Sequence, residues 1–97
     1  MRWVAIFDDT QDMMEVRRER EALHLAYLRE HADEIMLGGG CREEPGGTFV
    51  GGLWVLEVHS RERAVELIEN DPYYVPTFRR YKLRTWGKAF PEVVVTL

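Results

Sequence analysis

The sequence predicts an α+β fold, and three observations carry that reading. "RWVAIFD" is rich in β-branched and aromatic residues, and "TFVGGLWVLEV" reads as a longer strand. Two other segments open with helix start signals, Asp12 followed by Glu15 and, later, Ser60. The segments follow one another as β-α-β-β-α-β, the order in which split βαβ units build one sheet with both helices on the same face.

Each element has a local cause. "RWVAIFD" (Arg2 to Asp8) is rich in β-branched and aromatic residues and reads as the first strand. Asp12 and Glu15 have capping-box spacing, so a helix is expected from about Met13 to Ala32. Val16, Leu23 and Tyr27 form its expected apolar face, with His24 and Leu28 at the border. "EIMLGGG" reads as a short second strand, "CREEPGG" as a polar turn and "TFVGGLWVLEV" as a longer third strand. Ser60 is a good N-cap for a second helix whose stripe is Ala64, Leu67 and Ile68. Asn70-Asp71-Pro72 ends it, because the proline ring cannot continue a helix and restricts the residue before it. "FRRYKLRTWGKAF" is expected as a fourth strand, and the β-prone tail "EVVVTL" as an extra C-terminal strand. The whole is a ferredoxin-like β-α-β-β-α-β fold with one strand added.

Surface area then predicts an assembly. The first strand carries Trp3, Ala5 and Phe7 on one face but also Val4 and Ile6 on the other. The third carries Trp54, Leu56 and Val58 opposite Leu53 and Val55. Two helices cover only one face of a sheet, and an apolar second face in water would be an oversized exposed patch. A second copy packed sheet to sheet, as a dimeric α+β barrel, is the simplest remedy.

Composition bounds the rest. A chain of 97 residues is expected to form one domain over residues 1–97. Such a chain buries roughly 60–68% of its unfolded surface, so a partner copy would help a small core. Hydrophobic residues make up 45% and charged residues 31%, as in an ordinary soluble protein. The formal charge of −4 argues against a nucleic-acid partner, which needs a basic field. A single cysteine, Cys41, allows no intrachain disulfide and fits a reducing cytoplasm. "MRWVAIF" lacks signal-peptide order, and no apolar run approaches the ~20 residues of a membrane helix, so no membrane partner and a cytoplasmic location are expected.

Several residues qualify as site candidates. His24 on the first helix has the chemistry of a general base or acid; a half-exposed helix histidine is the plainer alternative. Asp71 before Pro72 is a common turn former. It also stands at a helix C-terminus, where the macrodipole prefers cations, so a role beyond the turn is open. Tyr73, Tyr74 and Trp54 are core or interface residues, or they line a pocket for a planar ligand. "RRYKLR" packs four cations into six residues, with Arg80, Lys82 and Arg84 on one strand face, either solvated or available to an anionic substrate. "GGG" at 38–40 is no phosphate loop, since no Gly-Lys-Ser/Thr follows it and no helix opens there. His24 and His31 have no HExxH or Cys/His companions, so no metal site is expected, and Cys41 has no identified base partner.

The pieces "WVAIFDD", "HLAYLREH", "GGLWVLEVHSRERAVELIENDPYY" and "WGKAF" together resemble the YCII-related (YciI-like) family across nearly the whole chain. The third piece, a strand, a short helix and Asp-Pro-Tyr in that order, is the most specific. The resemblance implies a ferredoxin-like fold that dimerises through its sheets. It also implies an active site pairing a first-helix histidine with the Asp-Pro aspartate, here His24 and Asp71. The chemistry it implies is removal of hydrogen chloride from a chlorinated hydroxyquinol. Where many members have Gly-Pro after the second strand, this chain reads "LGGGCREEP", so the substrate does not carry over.

The resulting expectation is a small cytoplasmic homodimeric enzyme acting on a small organic substrate without a cofactor. His24 and Asp71 would transfer a proton, and Tyr73, Trp54 and Arg80 would contact the substrate. The alternative is a non-catalytic ligand-binding or accessory dimer of the same fold. A cofactor-free oxygenase rests on fold analogy alone.

Overall fold

The computed structural model of the chain describes residues 1–96. Its elements are β1 (Arg2–Asp9), α1 (Met13–Glu30), β2 (Ile35–Arg42), β3 (Phe49–Glu57), α2 (Arg61–Glu69) and β4 (Arg79–Thr85). The strands pair antiparallel in the order β2-β3-β1-β4. This is the ferredoxin-like arrangement, with both helices against one face.

Both faces of β1 and β3 carry apolar residues, and the helices cover the one that holds Ala5, Phe7, Trp54 and Leu56. Ala5 and Phe7 join Trp54, Leu56, Leu83 and the α2 residues Ala64, Leu67 and Ile68 in the main core. A smaller cluster of Met13, Val16 and Tyr73 seats the start of α1. The Ser60 hydroxyl accepts the Arg63 N–H at 3.1 Å and fixes where α2 begins. On the opposite face Ile6, Leu37 and Leu53 are exposed, and Lys82 and Arg84 lie across from Ile6 and Val4.

Four expectations change. Asp12 makes no side-chain capping bond; its own backbone is already helical, whereas a capping residue is typically extended. Leu23 is 64% exposed, while His24 is buried on α1, as Met13 and Val16 are. An imidazole can occupy that place because it has a buried hydrogen-bond partner, described below. β2 continues through Cys41 and Arg42, which leaves the turn to residues 43–48, with Gly46 at φ +79°. The glycine there needs no strain to reach the left-handed region. Finally, β4 stops at Thr85, and residues 92–96 form no strand; Leu97 lies outside the described residues. Pro91 has no N–H for a ladder, and Val94, 87% exposed, pairs with no strand although the outer edge of β4 is free. β-propensity alone does not make a strand where the tail does not reach that edge.

Two phenols tie the helices to their surroundings. The Tyr27 hydroxyl donates to the Leu67 carbonyl at 2.6 Å, and the Tyr81 hydroxyl donates to Glu69 at 2.8 Å. Burial, aided by nearby carboxylates, pushes both up to about 12. The fold thus favours the protonated phenols. Their stabilising contribution is complete below the unfolded value of about 10 and is lost as pH rises through the folded one. Thermal melting from pH 10 to pH 12 should show a falling midpoint, and alkaline difference spectra should show tyrosines that titrate late. Both tyrosines ionising near the free value would contradict this.

Candidate active site

The site forms where the α1 face, the α2–β4 loop and one end of the sheet converge. Arg17 and His24 are seven residues apart on α1, two turns along one helix face. Asp9 closes β1 and Arg79 opens β4, and the two are register partners. Gly39 and Gly40 from β2 and Gly52 and Trp54 from β3 supply the sheet side of the cleft, with Tyr73 and Arg79 completing its lining.

Asp71 closes a turn and holds the histidine. Its backbone carbonyl accepts the Tyr74 N–H at 2.8 Å. Its buried Oδ1 accepts the Tyr73 N–H at 3.2 Å, an Asx-type turn contact, and meets His24 Nδ1 at 2.7 Å. A carboxylate offers only acceptors, so Nδ1 is assigned the proton and Nε2 keeps its lone pair in the neutral ring. The Tyr73 ring stacks on the imidazole, centroids 3.7 Å apart and 5° from parallel. Burial raises the Tyr73 phenol above its ordinary value, which keeps it a neutral wall of the site.

A buried ion cluster adjoins the pair. Arg79 grips Asp9 with two bonds, Nε to Oδ1 at 2.7 Å and Nη2 to Oδ2 at 3.0 Å. Arg17 Nη2 reaches the same Oδ2 at 3.1 Å and the Gly51 carbonyl at 3.0 Å. The Arg17 guanidinium lies 4.2 Å from the Phe49 ring centroid, and that of Arg79 lies 4.5 Å from Phe7. Arg17 Nε is buried without a partner.

Of the residues singled out from sequence, His24, Asp71, Tyr73 and Trp54 meet here. Arg80 does not. It is exposed and pairs in register with Asp8, whereas its neighbour Arg79 is buried and lines the cleft. Strand side chains alternate, so a shift of one residue changes the face. The missed residues are therefore Arg79, Asp9 and Arg17. A signal for Arg79 was present: it shares strand parity with Tyr81 and Leu83, the inward face, and an inward charge requires a partner.

The cleft is narrow, a cavity of about 20 Å³, close to the room one water needs. A larger cavity of about 330 Å³ lies under the C-terminal tail, lined by Arg2, Trp86, Phe90 and Val93 among others. Among the described residues its lining has no histidine and no acidic side chain, whereas His24 lines the smaller cleft. Among the described residues, no group of three or more His, Cys, Asp or Glu is placed to hold a metal ion. No helix among them is long and apolar enough to cross a membrane.

A model of the YCII-related domain matches residues 1–87. A solved structure with a similar fold is the 5-chloro-2-hydroxyhydroquinone dehydrochlorinase TftG of Burkholderia phenoliruptrix AC1100, in complex with 2,5-dihydroxybenzoquinone. It superposes with a TM-score of 0.77 at 25% identity, over 90% of this chain and 94% of that one. No curated protein sequence matches.

Proposed function

The chain belongs to the YCII-related domain family, and on that premise we propose that it is a lyase-type enzyme working by proton transfer on a small organic substrate. The observation that carries this reading is the buried 2.7 Å contact between His24 and Asp71 at a narrow cleft lined by the His24 ring. In the proposed step, His24 Nε2 takes a proton from the substrate. The electron pair released moves into the substrate's π-system, and the leaving group departs with its bonding pair. Asp71 orients the imidazole and offsets the charge it gains. Atoms and electrons balance as a net elimination, so the step needs no redox partner and no cofactor. Tyr73 fixes the plane of the imidazole, and Trp54 offers an aromatic wall to the substrate.

The dehydrochlorinase neighbour suggests the assay. The purified chain is incubated with 5-chloro-2-hydroxyhydroquinone and other halogenated or enolisable phenols, and halide or product release is followed. Turnover that disappears in His24→Gln supports the reading. The cleft of about 20 Å³ favours a second reading, a dimer that binds a small ligand without reaction. Ligand binding with no turnover across the panel would select it.

The proposal includes a homodimer in a cytoplasmic setting. Support for the dimer comes from the open sheet face, where Ile6, Leu37 and Leu53 are exposed and a second copy would bury them. Sedimentation should give twice the chain mass, reduced by Leu53→Asp. A wild-type monomer at micromolar concentration would exclude it.

A further inference from the structure

We propose that Phe49 is a gate on the cleft and sets the size of ring that reaches His24. This rests on the reading of the cleft as the reaction site, and it narrows the substrate to a small flat ring.

Volume is the first reason. The cleft is about 20 Å³, whereas a site for a small organic molecule is on the order of 300–1,000 Å³. A wall has to move before such a molecule can enter. Most walls are fixed. His24 is bonded to Asp71, Tyr73 is stacked on His24, and Arg79 holds Asp9 through two bonds. Trp54 belongs to the main core and packs edge-on against Phe7. Gly39, Gly40 and Gly52 belong to the paired ladder of β2 and β3.

Phe49 is held less firmly. It is the first residue of β3 and pairs with Arg42 beside a break in register between Cys41 and Arg42. It is only partly buried and belongs to neither core cluster. Its ring has no polar atom, so no hydrogen bond breaks when it turns. Stacking holds it, with the Arg17 guanidinium 4.2 Å and the Arg42 guanidinium 4.0 Å from the ring centroid. Arg42 is exposed, and such a contact is weak in water.

Its position joins it to the cleft. A Cβ on Gly40 would lie 2.5 Å from two carbons of the Phe49 ring and 3.4 Å from Arg17 Nη1. Gly40 and Arg17 both line the cleft. The ring therefore occupies the place that a side chain at residue 40 would fill. When the ring turns away it leaves bare backbone, and the vacated space joins the cleft. Glycine is required for this, because any larger residue would keep the place filled with the ring gone. Gly52, where a Cβ would lie 3.8 Å from Arg79 Nη2, is also bare. A slot floored by backbone and walled by planar groups admits a flat ring better than a branched chain. The ring, returning over a bound substrate, shuts out water.

The test is the kinetics of binding, followed by stopped-flow tryptophan fluorescence with Trp54 at the cleft as reporter. The probes are 2,5-dihydroxybenzoquinone, with one ring, and 2-hydroxy-1,4-naphthoquinone, with two. A gate that is mostly closed lowers the association rate by the fraction of time it is open. Phe49→Ala should therefore raise the association rate constant about tenfold or more, with the larger gain for the two-ring probe. Dissociation should also quicken, because nothing closes behind the probe. Phe49→Leu should fall between Phe49→Ala and the wild type. An association rate in folded Phe49→Ala within about twofold of wild type overturns the proposal. The wild type gives a second readout that needs no variant. In the free protein, NOEs should link the Phe49 ring to the Gly40 α-protons, and saturation with 2,5-dihydroxybenzoquinone should remove them. NOEs that persist while the His24 ring signals shift overturn the gate. Faster association in Phe49→Ala with no turnover in either protein supports the gate and removes the lyase reading, so the two failures give different results.

Discussion

For the proposed elimination, replacing Asp71 with asparagine should lower turnover by roughly 10²- to 10⁴-fold in kcat, with the fold intact. The side chain is nearly isosteric, and its amide oxygen can still accept the Tyr73 N–H that closes the turn. The loss falls on the histidine. If the amide oxygen faces Nδ1, the imidazolium formed during proton transfer no longer has a carboxylate at 2.7 Å to stabilise it. If the amide nitrogen faces Nδ1, it donates there, the ring proton moves to Nε2 and the base is blocked. Both arrangements act on the chemical step, so kcat should fall while KM changes little. Circular dichroism and a thermal melt establish that the variant folds. Turnover within about threefold of wild type in a folded variant would mean that the pair takes no part in the reaction.

Asp9→Ala should produce the largest loss of stability, about 3–5 kcal/mol by urea denaturation. The Asp9 side chain is 1% exposed and accepts bonds from two arginines whose side chains are 3% and 12% exposed. Removing it leaves two like charges side by side in a poorly solvated place. Burial makes the difference, because an exposed pair would contribute only about 0–1 kcal/mol. A domain has roughly 5–15 kcal/mol in hand, so the variant should sit near the edge of folding. Asp9→Asn, which keeps one acceptor oxygen, should lose less. A loss below about 1 kcal/mol in Asp9→Ala would show that water reaches the guanidinium groups and that the cluster is not a closed one.

Local signals were enough for most of the frame. β-branched and aromatic composition marked β1, the Ser60 hydroxyl marked the start of α2, and Pro72 marked the end of it. These causes act within a few residues, so the chain displays them directly. The tail shows where such signals stop, since valines at 93–95 have strand propensity but meet no edge. The site was legible only in part. His24 and Asp71 are 47 positions apart, and their contact was expected from the family resemblance rather than from any spacing. Whether His24 or Leu23 faced inward depended on whether a partner waited there, which is a property of the α2–β4 loop. The Asp9, Arg17 and Arg79 cluster draws on β1, α1 and β4. A charge becomes a site residue only when folding buries it beside its partner, and that juxtaposition belongs to the tertiary structure. Sequence by itself determined the elements and the faces they could bury; packing decided which charges those faces enclosed.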